Sequence, residues 1–269
     1  MATVLVNGYT MTYVEAGKGV PLLLIHGAFS DYRWWTPQME PLAAAGYRVI
    51  APSLRYYYPE RWDGTGGQFT VQQHVDDVGA FIGALGIAPV HLLGHSRGGH
   101  VAFRVAQSWP DRVTNLILAE PGGSLDKALS PADSAPPISR SPTPVDLIRA
   151  GDIDGGLELA FNSVVGPGAW ANWPEALKQH HRDNARTLLG HASEQRTPFS
   201  RSDVEAIKAP TLLIGGDQSG TAFVTVLDAF ERVMRNARRV TIPDASHPMN
   251  KQNPTAFNSA VLTFLNASR

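Results

Sequence analysis

The chain has 269 residues, 43% of them hydrophobic, enough to bury a sizeable core as one α/β domain with an insertion. Its 23 Lys and Arg nearly balance 24 Asp and Glu, which argues against a nucleic-acid or anionic-lipid surface and favours a small-molecule partner. The absence of cysteine excludes disulfides, thiolate zinc sites and a cysteine nucleophile. Neither a signal peptide nor a run of membrane-spanning length is found, so we expect a soluble, cytoplasmic protein.

The first segments predict an antiparallel ribbon, because Asn7-Gly8 accepts the positive φ of a tight hairpin turn. The next run, Pro21 to Ile25, is apolar without alternation, as expected for a strand covered on both faces of a parallel sheet. The predicted strands are Thr3 to Val6, Met11 to Glu15, Pro21 to Ile25, Tyr47 to Ala51, Val90 to Leu93, Val113 to Ala119, Thr211 to Ile214 and Arg239 to Ile242.

Stretches with apolar residues at three-to-four spacing fall between most of these strands. The predicted helices are Trp35 to Ala44, Val71 to Leu85, Gly98 to Ser108, Ala222 to Met234 and Thr255 to Leu265. Such alternation predicts the α/β class: a mostly parallel, doubly wound sheet with helices on both faces. The ligand site then lies beyond the carboxyl ends of the strands.

One long segment interrupts the alternation. We assign residues 1–121 and 201–269 to the α/β core and residues 122–200 to an inserted cap. The cap holds a proline-rich run, Ser130 to Pro144, and helical patterns at Pro144 to Ala160 and Pro174 to Leu189. Its aromatic side chains predict an apolar substrate group; they are Phe161, Trp170, Trp173 and Phe199.

The strongest local signal is Gly94-His95-Ser96-Arg97-Gly98, which matches G-x-S-x-G between a predicted strand and a predicted helix. In such an elbow the serine occupies a strained turn, and the glycines let neighbouring backbones approach. Ser96 is therefore the candidate nucleophile. The alternatives are a glycine-rich turn with a serine helix cap, or a phosphate-binding loop.

A serine hydroxyl needs an adjacent base, and nine histidines compete for that role. His247 follows the last predicted strand, where its ring can lean towards Ser96, so it is our candidate. His91 and His95 are assigned to a strand and a turn and should diverge, while the adjacent His180 and His181 are expected to be solvated. We therefore expect no metal site.

The oxyanion of a tetrahedral intermediate needs two donors, commonly the N–H after the nucleophile and one from the turn after an earlier strand. Arg97 and Ala28 occupy those positions. The acid that orients the histidine has two candidates, because Glu120 and Asp217 each directly follow a predicted strand. Position in the sequence leaves both open.

Taken in order, these motifs resemble the α/β-hydrolase family along nearly the whole chain. The resemblance is carried by His26-Gly27, the elbow, Gly215-Gly216-Asp217 and Ser246-His247-Pro248. In many relatives the acid lies three residues after the final strand glycine, which here is Ser219. Other relatives place it after the preceding strand, and Glu120 fits that variant, so the resemblance ranks Glu120 before Asp217.

The expected reaction is cleavage of a small, apolar carboxylic ester or lactone through an acyl-enzyme, without a cofactor. The resemblance also admits a receptor that binds a small molecule without turnover, and cofactor-independent oxygenation or perhydrolysis on the same residues. We expect neither nucleic acid nor membrane as a partner, and a homodimer stays open.

Overall fold

The computed structural model describes residues 1–130 and 141–267, and the described part of the chain forms an eight-stranded sheet. Its strands run in the order β1-β2-β4-β3-β5-β6-β7-β8. They are β1 (Ala2–Val6), β2 (Tyr9–Ala16), β3 (Val20–Ile25), β4 (Tyr47–Pro52), β5 (Val90–His95), β6 (Val113–Ala119), β7 (Thr211–Gly216) and β8 (Ala237–Ile242). Every predicted strand is present, most of them one or two residues longer than expected.

Helices follow most strands, as the alternation predicted. They are α1 (Thr36–Ala44), α2 (Val71–Ala84), α3 (Arg97–Ser108), α4 (Pro144–Arg149), α5 (Ile153–Val164), α6 (Ala169–Asn172), α7 (Glu175–Asn184), α8 (Thr187–Ser193), α9 (Arg201–Glu205), α10 (Thr221–Val233), α11 (Met249–Gln252) and α12 (Pro254–Asn266). Short 3₁₀ turns at Tyr32–Trp35 and Pro110–Arg112 precede α1 and β6.

The sheet is mostly parallel. Only β1 with β2 and β2 with β4 pair antiparallel among the described strands, and β3 to β8 are parallel to their neighbours. Side chains of β3 alternate between the two layers: Leu23 and Ile25 join α2, α3 and α10, while Leu22 and Leu24 join α1 and α12. This two-sided burial explains the unbroken apolar runs and confirms the predicted fold class.

The segment predicted as a cap, residues 122–200, contains α4 to α8 between β6 and α9. Its small apolar cluster is centred on Ile148, Leu157, Trp170 and Ala185. Most of the proline-rich run lies outside the described residues. Within residues 1–130 and 141–267, no helix combines the length and apolarity needed to cross a bilayer.

The close packing of α3 against β3 depends on Gly98. A Cβ atom at this position would lie 2.3 Å from the carbonyl oxygens of Ile25 and His26, both of which belong to the backbone. Because these atoms cannot rotate away, any side chain at position 98 must push α3 off the sheet.

We therefore expect Gly98→Ala to lower the free energy of unfolding by about 1–3 kcal/mol through overpacking. Gly83→Ala is the matched control, because that exposed helical glycine has only the Arg112 side chain within 4 Å of an added Cβ. The control should be neutral or stabilised by roughly 0.5–1 kcal/mol. Urea denaturation of both variants measures the difference, and equal stabilities would contradict the close approach.

Candidate active site

Ser96 occupies the sharp turn between β5 and α3. Its backbone has φ 53° and ψ −123°, a conformation that non-glycine residues seldom adopt. The turn is held by the Ser96 N–H, which donates to the Ala119 carbonyl at 2.9 Å, and by Gly122 N–H, which donates to the Ser96 carbonyl at 2.8 Å. A Cβ at Gly94 would lie 2.2 Å from the Gly98 carbonyl oxygen, so the turn requires glycine there.

His247 lies in the loop between β8 and α11, and its imidazole contacts the carboxylate of Glu120. The Nδ1 atom of His247 is 2.6 Å from Oε2 of Glu120, which is fully buried. The other carboxylate oxygen, Oε1, accepts the Gly216 N–H at 3.0 Å. Because a carboxylate accepts, Nδ1 carries the proton in this contact and Nε2 is the ring nitrogen left for a second partner.

Asp217 lies elsewhere. It is exposed, and its carboxylate accepts the N–H groups of Asp244 at 3.1 Å and Ala245 at 3.0 Å. These backbone hydrogen bonds lower the pKa of Asp217. Of the two candidate acids, Glu120 therefore contacts the imidazole, and Asp217 instead fixes the loop that carries His247.

Ser96, His247 and Ala28 all line one cavity of about 100 Å³ at the carboxyl end of the sheet. Its wall is largely apolar and includes Phe29, Trp34, Ala160, Phe161, Val164, Val165, Trp173, Phe223 and Pro248. Arg97 is the first residue of α3, so its N–H has no acceptor within the helix. Three of the predicted site residues thus share one small apolar cavity, and Arg97 directly follows Ser96.

The aromatic residues expected to surround a substrate divide into two groups. Phe161 and Trp173 line the cavity, whereas Trp170 stacks behind Phe161 at a centroid distance of 5.8 Å. Phe199 packs against Phe103 and Phe230 in the main core instead, at centroid distances of 5.0 and 4.9 Å. Phe199 therefore does not line the cavity, because it is buried in the main core just before α9.

Two contacts of His247 were not predicted from the sequence. Phe223, on α10, stacks on the imidazole with a centroid distance of 3.9 Å and an interplanar angle of 13°. The Nε2 atom of His95 lies 2.8 Å from the His247 carbonyl and donates to it. The place of His95 directly before Ser96 in the motif could have indicated that it lies at the site. Phe223 lies in a helix, and nothing in the spacing of that helix indicates a contact with His247.

The expectation that His180 and His181 are solvated was wrong. Only 6% of His180 and 1% of His181 is exposed. His180 Nε2 lies 3.0 Å from the Ser30 hydroxyl and 3.5 Å from the Asp31 carboxylate, while His181 packs against Phe161 and Trp173. Both adjacent histidines can be buried because α7 packs against the loop after β3 on one side and against Phe161 and Trp173 on the other. Across residues 1–130 and 141–267 no group of three His, Asp or Glu is placed to hold a metal ion.

Residues 22–260 match the model of the alpha/beta hydrolase family, and the chain belongs to that family. A non-heme haloperoxidase from Rhodococcus erythropolis is 26% identical over 96% of this chain and 97% of that protein. A soluble epoxide hydrolase from Corynebacterium sp. (strain C12) is 36% identical, over 46% of this chain and 42% of that protein. The structure of a thermophilic esterase from Thermogutta terrifontis matches 99% of this chain and 97% of that one, with a TM-score of 0.78 and 24% identity.

Burial lowers the pKa of seven histidines below the ordinary value near 6.5; they are His26, His74, His95, His100, His180, His181 and His191. For His26 the pKa falls to about 4. Between these two values the unfolded chain binds the proton and the folded chain does not, so stability is lost as the pH falls.

We expect the free energy of unfolding to drop between pH 7 and pH 5, by about 2 kcal/mol for His26 alone and further for the other buried rings. Urea denaturation at pH 7, 6 and 5 measures this slope. A free energy of unfolding that stays constant over this range would contradict the neutral, buried state of these histidines.

Proposed function

We propose that the protein is a serine hydrolase that cleaves a small, apolar carboxylic ester or lactone through an acyl-enzyme. The observation that carries the proposal is the 2.6 Å contact between Nδ1 of His247 and Oε2 of the buried Glu120. His247 lines the same cavity as Ser96, which lies in the turn between β5 and α3. A buried carboxylate on Nδ1 fixes the imidazole tautomer whose Nε2 can accept a proton.

In the proposed first step, Oγ of Ser96 attacks the substrate carbonyl and Nε2 of His247 takes the hydroxyl proton. Glu120 stabilises the imidazolium by accepting the Nδ1 proton in a hydrogen bond. The N–H groups of Ala28 and Arg97 are the proposed donors to the oxyanion. His247 then protonates the leaving alcohol, and a water molecule, deprotonated by the same imidazole, releases the acid and restores Ser96.

The cavity supports the proposed substrate class. A volume of about 100 Å³ with a mostly apolar wall suits a short acyl or alcohol group. Phe161 and Trp173 of the segment 122–200 line the cavity. We propose this segment as the cap of a core formed by residues 1–121 and 201–269. The cytoplasmic location and the homodimer stay predictions.

A second candidate reaction is perhydrolysis, favoured by the similarity to a protein named as a non-heme haloperoxidase. Here hydrogen peroxide replaces water in the second step: the acyl group passes from Ser96 to the peroxide oxygen, and a peracid leaves. The same residues serve both reactions. The ratio of peracid to carboxylic acid formed from one ester, measured with and without peroxide, distinguishes them.

We expect Ser96→Ala to remove nearly all turnover of short esters, a loss of at least about 10³-fold in kcat, because the variant lacks the hydroxyl on the elbow. Ser124→Ala is the matched control, since Ser124 is exposed and outside the cavity. Hydrolysis of 4-nitrophenyl acetate and butyrate is followed for both. Undiminished turnover by Ser96→Ala with intact folding would refute the proposed nucleophile.

Removing the charge of Glu120 and removing that of Asp217 should have very different effects on kcat. Glu120→Gln should lower kcat by about 10³- to 10⁴-fold, because an amide no longer fixes the tautomer or stabilises the imidazolium. Asp217→Asn should cost about tenfold or less, because it weakens only the bonds to the loop backbone. Ester turnover by both variants gives the ranking, and a larger loss for Asp217→Asn would assign the acid to that residue.

A further inference from the structure

The cavity wall contains a histidine that the proposed reaction does not use. His181 lies on α7, is 1% exposed, and contributes its ring to the same cavity as Ser96 and His247. Its Nδ1 atom is 2.8 Å from the carbonyl oxygen of Phe29. Because a carbonyl oxygen can only accept, Nδ1 carries the proton in this contact.

The second ring nitrogen of His181 is a hydrogen-bond acceptor without a partner. Burial lowers the pKa of His181 to about 4, so the ring is neutral at pH 7 and Nε2 carries a lone pair. Nε2 is buried, and no described residue donates a hydrogen bond to it. A buried acceptor left unsatisfied is costly, which is why such groups usually have a partner.

The surroundings of the ring limit where that partner can come from. His181 packs against Phe161 at a centroid distance of 4.4 Å, Trp173 at 5.2 Å and Trp34 at 6.0 Å. All three also line the cavity, and their ring planes are tilted by 34° to 55° from the imidazole plane. The neighbouring His180 ring lies at a centroid distance of 5.2 Å. Because His181 itself lines the cavity, a molecule bound there is the candidate source of the donor.

A second unpartnered acceptor differs in its surroundings. Nδ1 of His95 is also buried without a partner among the described residues. It lies under the backbone of Gly27, since a Cβ built on that glycine would be only 3.2 Å away. His181 is therefore the better placed of the two to contact a group at the cap side of the cavity.

We propose that His181 is a specificity-determining residue that accepts a hydrogen bond from the substrate, and that the preferred ester therefore carries a hydroxyl or an amide N–H. The inference rests on the proposed function for the identity of the substrate as an ester. An otherwise apolar cavity with one such acceptor distinguishes donor-bearing substrates from their plain counterparts, because binding the latter leaves Nε2 unpaired.

Matched pairs of short esters test the preference for a hydrogen-bond donor in the substrate. Ethyl 3-hydroxybutyrate and 2-hydroxyethyl butyrate are each compared with ethyl butyrate, which places the hydroxyl on the acyl or the alcohol side. Ethyl N-acetylglycinate is compared with ethyl levulinate, in which CH₂ replaces the N–H. For at least one pair we expect kcat/KM to favour the donor-bearing ester by about tenfold or more.

Two substitutions separate the acceptor from the anchor to Phe29. In His181→Asn the amide nitrogen stands as many bonds from the backbone as Nδ1, so the variant can still donate to Phe29 but has no atom at the Nε2 position. His181→Phe loses both groups. In both variants we expect the ratio of kcat/KM for the donor-bearing ester to that for its plain counterpart to fall to nearly one. Trp170→Phe, which alters the cap core but not the cavity wall, should keep the wild-type ratio.

Binding measurements keep the two proposals distinguishable. In the Ser96→Ala background, the dissociation constants of the same pairs are measured by calorimetry with and without His181→Asn. If no ester is turned over but the donor-bearing ligand binds about tenfold tighter only with His181 present, the proposed hydrolysis fails and the role of His181 stands. Equal ratios in wild type and both His181 variants, in turnover and in binding, would mean that water satisfies Nε2 and would overturn the inference.

Discussion

The 2.6 Å hydrogen bond between His247 and Glu120 joins two loops that are 127 residues apart in the chain. It is formed in a site from which solvent is excluded on the carboxylate side, where an unpaired charge would be costly. The Gly216 N–H donates to the second carboxylate oxygen of Glu120. Phe223 stacks on the face of the imidazole, and His95 donates to the backbone carbonyl of His247. The position of the imidazole over the cavity depends on all of these contacts.

A buried ion pair connects the segment 122–200 to the turn that carries Ser96. The guanidinium of Arg97, the residue after Ser96, pairs with Glu194 at 2.9 Å and also contacts His74 at 2.9 Å. Arg196 binds the other oxygen of Glu194 at 3.0 Å. Two positive groups share one carboxylate, and removing Glu194 would leave buried charge without compensation. The segment 122–200 is thereby tied to the backbone that supplies a proposed oxyanion donor.

Much of this arrangement could be predicted from the sequence, because unbroken apolar runs, helical spacing and the glycines of the elbow are local signals. Val113–Ala119 was predicted with its observed bounds. The choice between Glu120 and Asp217 was not local: it depends on β6 lying next to the strand of Ser96, while the end of β7 faces the loop after β8. The burial of His180 and His181 likewise arises only when α7 packs against the loop after β3, a contact that no spacing in the helix reveals.

The most direct test of the central claim is covalent trapping of the nucleophile. An alkyl fluorophosphonate reacts with a serine whose hydroxyl is activated by a base, and intact-mass and peptide analysis then locate the adduct. We expect one adduct per chain, on Ser96, forming far more slowly in His247→Ala and Glu120→Gln. A folded protein that stays unlabelled, or that is labelled at the same rate in those variants, would contradict the activation of Ser96 by the His247 and Glu120 pair.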